Sequence, residues 1–388
     1  MKFNKYKISH YFIFSFSAIN YLIVIFLKKF KNTRNNNILL FGHKLVGNLE
    51  VIFKDMRFSS NDIYYITLNY KDYLRLRKLY GNKILTPLNI FQLFKALNCK
   101  ILIASHGIFF HNLIKKLGIK TILCGHAIHG AIVKNKESNI KFYETFDEVW
   151  LHSPYDKKIV IEELLCKPFN LNVIGFVRNQ LLTERVLNTE NLKAVNGLNE
   201  KKVILYAPTA NRGNTEYMNS KFSISNMEFY KFISTLLKNS DITLIIKTHL
   251  NDIISNDIRQ FVHNNPNILF HEDLDISYDY DSLLISDILM TDMSTIYVDY
   301  LLLEKPIFIL NNPDPDINKR KKSSILQDIK LPKIKNYSDL EEIIKKLDQS
   351  KFETENIKKL KNEIYNDFTH SKTIEKINEV FSVESFKN

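Results

Sequence analysis

The stretch SDILMTDMSTIYVDYLLLEK, residues 286–305, drives an apolar run, Ile288-Leu289-Met290, into Thr291, Asp292, Ser294 and Thr295 and then, with no spacer, into a helical pattern. Small hydroxyls and an acid crowded at such a junction cost stability unless they cap the helix or something binds there. A strand that turns directly into a helix is half of a βαβ unit, so the segment predicts a parallel sheet.

The alternation recurs on both sides of it. Strands are expected at 203–206, 242–247, 267–270 and 307–310 with helices between, and Ser225-Asn226-Met227-Glu228 makes a capping box for the clearest helix. Earlier, 37–41 reads as a strand, Gly42 as its turn and 45–53 as the next helix, followed by strands at 63–68, 101–104, 121–123 and 148–151. Ser153-Pro154-Tyr155-Asp156 offers an N-cap, a proline at the first helical position and an acid in the first turn. Two α/β domains follow, facing each other across a cleft and joined by a polar segment at 181–201. In open sheets of this kind, ligands bind at the carboxyl ends of the strands.

Composition agrees with two domains. The 388 residues exceed what one core usually holds, and 45% hydrophobic residues suffice for two. A net charge of +12 favours anionic partners: phosphorylated substrates, membrane surfaces or nucleic acid. Cys99, Cys124 and Cys166 lack the paired spacings of zinc or redox sites, which fits a reducing compartment. The apolar run 11–27 is flanked by Lys2, Lys5 and Lys7 and by Lys28, Lys29, Lys31 and Arg34. As a helix it reaches about 26 Å, short of the ~30 Å hydrocarbon core. It is a buried first helix, a membrane anchor or an in-plane interfacial helix, with the heavier positive flank on the cytoplasmic side. Basic residues follow where a signal-peptide cleavage site would lie, so a cleaved leader is not supported.

Polar residues collect at the strand ends. The segment 203–206 runs into Ala207-Pro208-Thr209-Ala210-Asn211-Arg212, 242–246 into Lys247-Thr248-His249, and 121–123 into Gly125-His126-Ala127-Ile128-His129-Gly130 with Lys134 beyond. Free amides, a helix dipole and the hydroxyls of Ser294 and Thr295 would seat a phosphate after 288–291. A common anionic ligand accounts for histidines and cations at several such ends better than separate surface roles do. No Walker A, Gly-x-Gly-x-x-Gly or Gly-x-Ser-x-Gly motif occurs. His126 and His129 are three apart, but the His129-Gly130 pair argues for a loop rather than a helical ligand pair and no third ligand at a metal-site spacing is suggested, so no metal site is expected.

These motifs resemble, in order, those of the CDP-glycerol glycerophosphotransferases of teichoic acid and capsule synthesis. His129-Gly130 with Lys134 is similar to that family's His-Gly-x-x-x-Lys, and Gly175-Phe176-Val177-Arg178-Asn179 to its Gly-x-Pro-Arg-Asn. Tyr206-Ala207-Pro208-Thr209 followed by Arg212 resembles Tyr-Ala-Pro-Thr-x-Arg, Lys247-Thr248-His249 a basic-x-His-Pro, and Ser286 to Pro306 the longest signature. Departures include Ala131-Ile132 where Thr-Pro is usual, Val177 and Leu250 for prolines, and an arginine one place late.

The resemblance implies a GT-B fold of two Rossmann-like domains with an N-terminal apolar helix. Its parts would be a membrane-associated helix at 1–34, an acceptor domain at 35–180, a linker at 181–201 and a nucleotide-donor domain at 202–388. It implies transfer of an alditol phosphate, glycerol or ribitol, from a CDP-alditol to a lipid-linked or glycan acceptor at the inner face of the cytoplasmic membrane. CMP would be released, with no cofactor and no metal. On that basis His129 is the base, since a neutral imidazole accepts a proton near neutral pH. His249 donates to the diphosphate; Gly130, Lys134, Arg178, Thr209, Arg212, Lys247, Ser294 and Thr295 bind substrate, and Asp292 and Asp299 orient the loop or hold ribose. One rival is a GT-B glycosyltransferase using a nucleotide sugar. Another is a non-enzymatic nucleic-acid-binding protein, against which no recognition signature with exposed aromatics beside basic residues is found.

Overall fold

A parallel sheet buried on both faces needs strands that are apolar throughout rather than alternating. Such runs order the chain. The computed structural model describes residues 8–28, 35–58, 62–108, 110–127, 132–133, 136–164, 170–210, 215–249, 252, 254–292, 294–313, 321–322, 331–348, 352–366 and 368–386. In chain order its strands begin with β1 (Ile38–Phe41), β2 (Ile63–Ile66), β3 (Ile84–Leu85), β4 (Ile101–Ala104) and β5 (Lys120–Leu123). Next come β6 (Ile132–Val133), β7 (Glu148–Leu151), β8 (Leu171–Val173), β9 (Lys202–Tyr206) and β10 (Ile242–Ile246). The last are β11 (Ile268–Phe270), β12 (Ile288–Thr291), β13 (Ile307–Leu310), β14 (Lys321–Lys322) and β15 (Lys333–Ile334).

Two units result, one of Met1–His129, Asn135–Gln180 and Thr369–Asn388, the other of Gly130–Lys134 and Leu181–Phe368. The first holds a seven-stranded sheet in the order β3-β2-β1-β4-β5-β7-β8, and every pair is parallel. The second holds six parallel strands in the order β11-β10-β9-β12-β13-β15, with β14 and β6 as a separate antiparallel pair. Each sheet runs outward from its first strand in both directions, the doubly wound order. The reversal leaves a crevice at the carboxyl ends of the two strands where it occurs, β1/β4 in the first unit and β9/β12 in the second.

Several sequence expectations need correction. The polar stretch 181–201 is largely helical: it continues the helix Val177–Glu184, then forms a short 3-10 turn and the helix Thr189–Val195, and all of it lies in the second unit. Residues 369–388 leave the second unit for the first. Thr373 Oγ1 donates to Ile174 O at 3.0 Å, Gln180 Nε2 to Ser371 O at 2.8 Å, and Phe381 is buried 5.9 Å from Phe58. The cap of the helix Met227–Leu237 is Asn226 rather than Ser225, its side chain accepting from Glu228 N.

At the N-terminus Ile8–Lys28 is a helix, but no helix among the described residues is long and apolar enough to cross a membrane. The membrane-spanning reading of 11–27 therefore falls. Ser17, Asn20 and Val24 are buried, Asn20 Nδ2 donates to Pro87 O at 2.9 Å, and Tyr21 packs on Phe110. Phe16, Ile19, Leu22, Ile23 and Phe26 lie exposed at three- and four-residue spacing, on a second face.

Candidate functional site

In the second unit the crevice at β9/β12 is organised by one carboxylate. Asp292, 1% exposed, follows β12 directly and accepts from Thr209 N at 2.7 Å, from the Tyr217 hydroxyl, and from Asn312 Nδ2 at 3.5 Å. A second tie joins the same strand ends, Thr291 Oγ1 donating to Ala207 O at 2.6 Å. Burial and Asp292 raise the Tyr217 hydroxyl well above the ordinary phenol range, so it stays a donor to the carboxylate. Asp292 thus fixes the loops after β9, β12 and β13 relative to one another. Thr209 Oγ1, held in this frame, is buried with no hydrogen-bond partner among the described residues. Leaving a buried hydroxyl unpaired costs about 1–3 kcal/mol, which a ligand there would recover.

Ser294 and Thr295 follow, both half-buried. The helix they lead into is Ile296–Tyr300, only five residues, with Thr295 as N-cap and no side-chain cap bond, passing straight into the 3-10 turn Leu301–Leu303. So short a helix has little dipole to offer a phosphate. Much of the surrounding signature is frame. Ser286 Oγ bonds Leu283 O and Tyr300, Asp287 accepts from Val203 N and Lys193, and Lys305 Nζ donates to Leu284 O and Ser286 O at 2.7 Å each. Burial pushes the Lys305 ammonium down to about 8, against the pull of Asp287. Asp299 is 3% exposed and accepts from the Tyr280 hydroxyl at 3.3 Å.

At the end of β10, His249 is exposed and its backbone N–H donates to Asp252 Oδ2 at 3.2 Å. Lys247 is less available than the sequence suggests: its ammonium sits 2.8 Å from Asp279 Oδ1 and 3.0 Å from His271 Nε2. Burial and the adjacent ammonium bring His271 down to about 4, so the neutral ring accepts from Lys247.

In the first unit Arg178 is 3% exposed, stacks over the Phe176 ring at 4.4 Å and donates from Nη1 to His126 O at 3.1 Å. It braces the loop after β5, and Asn48 completes the brace by donating to Cys124 O and Gly125 O. The crevice at β1/β4 carries two histidines that sequence reasoning missed, His43 and His106, which contact each other, with His106 also stacked on His126. Each stands two residues past its strand, but only the strand order makes them neighbours. His129, Gly130, Lys134 and Arg212 lie outside the described residues. Among the described residues no group of three or more His, Cys, Asp or Glu is placed to hold a metal ion.

The family model described as CDP-Glycerol:Poly(glycerophosphate) glycerophosphotransferase matches residues 23–381. The teichoic acid poly(glycerol phosphate) polymerase of Bacillus spizizenii is 35% identical over 136 residues, 34% of this chain and 33% of the relative. The teichoic acid poly(ribitol-phosphate) polymerase of the same organism is 31% identical over 154 residues, 38% of this chain and 21% of the relative. The matches thus span a third or less of those relatives' lengths. A structure of a variant of the wall teichoic acid polymerase TagF soaked with CDPG superposes with a TM-score of 0.70 at 17% identity, covering 95% of this chain and 93% of that one. UDP-GlcNAc 2-epimerase from Neisseria meningitidis, bound to UDP-GlcNAc, gives 0.55 at 13% identity over 89% of this chain and 99% of its own. These structural likenesses support two parallel-sheet α/β domains of GT-B type.

Proposed function

The chain belongs to the CDP-glycerol:poly(glycerophosphate) glycerophosphotransferase family, and from that premise we propose that it transfers glycerol phosphate from CDP-glycerol to an acceptor hydroxyl, releasing CMP, during synthesis of a cell-surface polymer. The observation that carries the reading is the β9/β12 crevice, where Asp292 ties two strand ends, the Thr209 hydroxyl is buried with no partner among the described residues, and Ser294 and Thr295 follow Asp292 in the chain. Hydroxyls and loop amides arranged in this way suit a diphosphate.

In the reaction the acceptor oxygen attacks the β-phosphorus in line, the bond from that phosphorus to the CMP oxygen breaks, and the acceptor proton passes to a base. His129 takes that proton. His249, exposed at the next strand end, donates to the departing phosphate, with Thr209, Ser294 and Thr295 on the diphosphate and Lys134, Arg212 and Gly130 completing the site. Lys247, paired with Asp279, contributes through position more than free charge. Asp292 and Asp299 shape the loops; repulsion between a carboxylate and a phosphate argues against their direct contact with it. The donor alone supplies the activated group, with no cofactor and no metal, and the partner is a lipid-linked or glycan acceptor rather than a nucleic acid. The exposed apolar face of the helix Ile8–Lys28, with basic residues flanking it in sequence, supports a peripheral position on the cytoplasmic side of the membrane.

The test is to incubate the purified chain with CDP-glycerol, CDP-ribitol and a panel of nucleotide sugars in the presence of a lipid-linked acceptor, and identify the nucleotide released. CMP from CDP-glycerol supports the proposal; UDP or GDP from a nucleotide sugar overturns it in favour of glycosyl transfer.

A further inference from the structure

Three neighbouring strands of the first unit each run into a histidine: β1 into Gly42-His43, β4 into Ser105-His106, and β5 into Cys124-Gly125-His126. The middle ring, His106, lies 4.3 Å from His43 and 4.1 Å from His126 by ring centroids, nearly parallel to the latter at 18°. Its Nδ1 is 2.8 Å from Ser105 Oγ, and His126 Nδ1 is 3.3 Å from Ser105 O, so one serine orients two rings. Arg178 holds the His126 carbonyl from behind. Gly42 is required by the approach, because a Cβ there would meet Leu49 Cδ1 and Ser105 Oγ at 2.6 Å each.

The outer rings, His43 and His126, are exposed, while His106 is half-buried. Burial, with His126 and His43 beside it, brings His106 down to about 2, so the middle ring is neutral. Rings at this spacing cannot all be charged, because each proton opposes the next. A cluster that offers N–H donors and tolerates about one positive charge is matched to a singly charged anion that also carries hydroxyls. It stands at the β1/β4 reversal, where an open sheet binds its ligand.

We propose that His43, His106 and His126 form a subsite for a phosphodiester-linked polyol, the terminal units of the acceptor chain. The imidazole N–H groups donate to the non-bridging phosphate oxygens and the neighbouring hydroxyls. The identity of the ligand as the acceptor rests on the glycerophosphate-transfer reading above; the presence of the subsite does not.

The probe is bis(glyceryl) phosphate, titrated into the 388-residue chain labelled with nitrogen-15 in its histidines. Saturable shifts of the His43, His106 and His126 signals, absent with glycerol alone, are expected. No saturable shift overturns the subsite, whether or not the protein releases CMP from CDP-glycerol. In turnover assays His43→Asn and His126→Asn should each raise the acceptor KM about tenfold, the worth of one hydrogen bond to a charged group, with the KM for CDP-glycerol unchanged. An unchanged acceptor KM, or an equal rise in the KM for the donor, contradicts an acceptor subsite. If a variant does not fold, the wild-type titration still decides. Failure of CMP release with a positive titration overturns the proposed reaction and leaves the subsite standing.

Discussion

The two units share one strand order and differ in what stands at its reversal. In the second, a buried carboxylate gathers backbone and hydroxyl donors and leaves the Thr209 hydroxyl buried with no hydrogen-bond partner among the described residues. In the first, aromatic bases stack on one another, braced from behind by an arginine. Topology fixes where a ligand can sit; the first few residues beyond each strand decide which one. A diphosphate suits the hydroxyl-lined end, and a polyol chain with isolated charges suits the imidazole-lined one.

The comparison breaks most sharply at His249. His249→Ala should lower kcat by about a thousandfold, as expected for loss of a proton-donating group, with little change in thermal stability because the side chain is exposed. An unaltered kcat removes His249 from the reaction. Asp292→Ala comes next. It strands the Thr209 amide and takes one partner each from the Tyr217 hydroxyl and Asn312, and should cost about 3 kcal/mol in urea unfolding, with Asp292→Asn milder. A cost below about 1 kcal/mol would show that the carboxylate does not organise the crevice.

Acid separates the units next. His106 and His370 in the first unit are held by burial at about 2 and about 3, and His271 in the second at about 4. All three are depressed below the unfolded value near 6.5, so below that pH the unfolded chain binds protons that the folded chain refuses. Stability is therefore complete above about pH 6.5 and falls as pH drops toward the folded values. Each group contributes roughly 1.4 kcal/mol per pH unit, so the first unit, which holds two of these three and in which His111 is lowered as well, weakens the faster. The single tryptophan, Trp150 in β7, reports that unit alone. Its fluorescence midpoint in urea should fall ahead of the circular-dichroism midpoint between pH 6.5 and 5, and coincident midpoints would contradict the assignment. The smallest effect concerns the first unit's helix Ile8–Lys28. Ile19→Ser on its exposed face should weaken binding to anionic vesicles about fivefold, roughly 1 kcal/mol, and unchanged binding would detach the face from the membrane.

Strands such as β4, β7, β12 and β13 were legible in sequence to the residue, because burial on both faces forces uninterrupted apolar runs. The two-residue β3 and β15 were not, since a pair of apolar residues carries no period. Nor was the return of 369–388 to the first unit: the contact of Phe381 with Phe58 is a long-range choice that local pattern does not encode. At the site, Thr209, Asp292 and Ser294 announced themselves as polar residues capping apolar strands. What escaped was pairing. The charge of Lys247 is committed to Asp279, and the meeting of His43, His106 and His126 depends on a strand order that no single stretch contains.

The central claim is that phosphorus moves with the glycerol. Supplying CDP-glycerol labelled with radioactive phosphorus at the β position, together with a lipid-linked acceptor, follows that atom directly. Label is expected in the acceptor product, with unlabelled CMP in solution. Label left on the nucleotide as CDP, with only glycerol transferred, would contradict it.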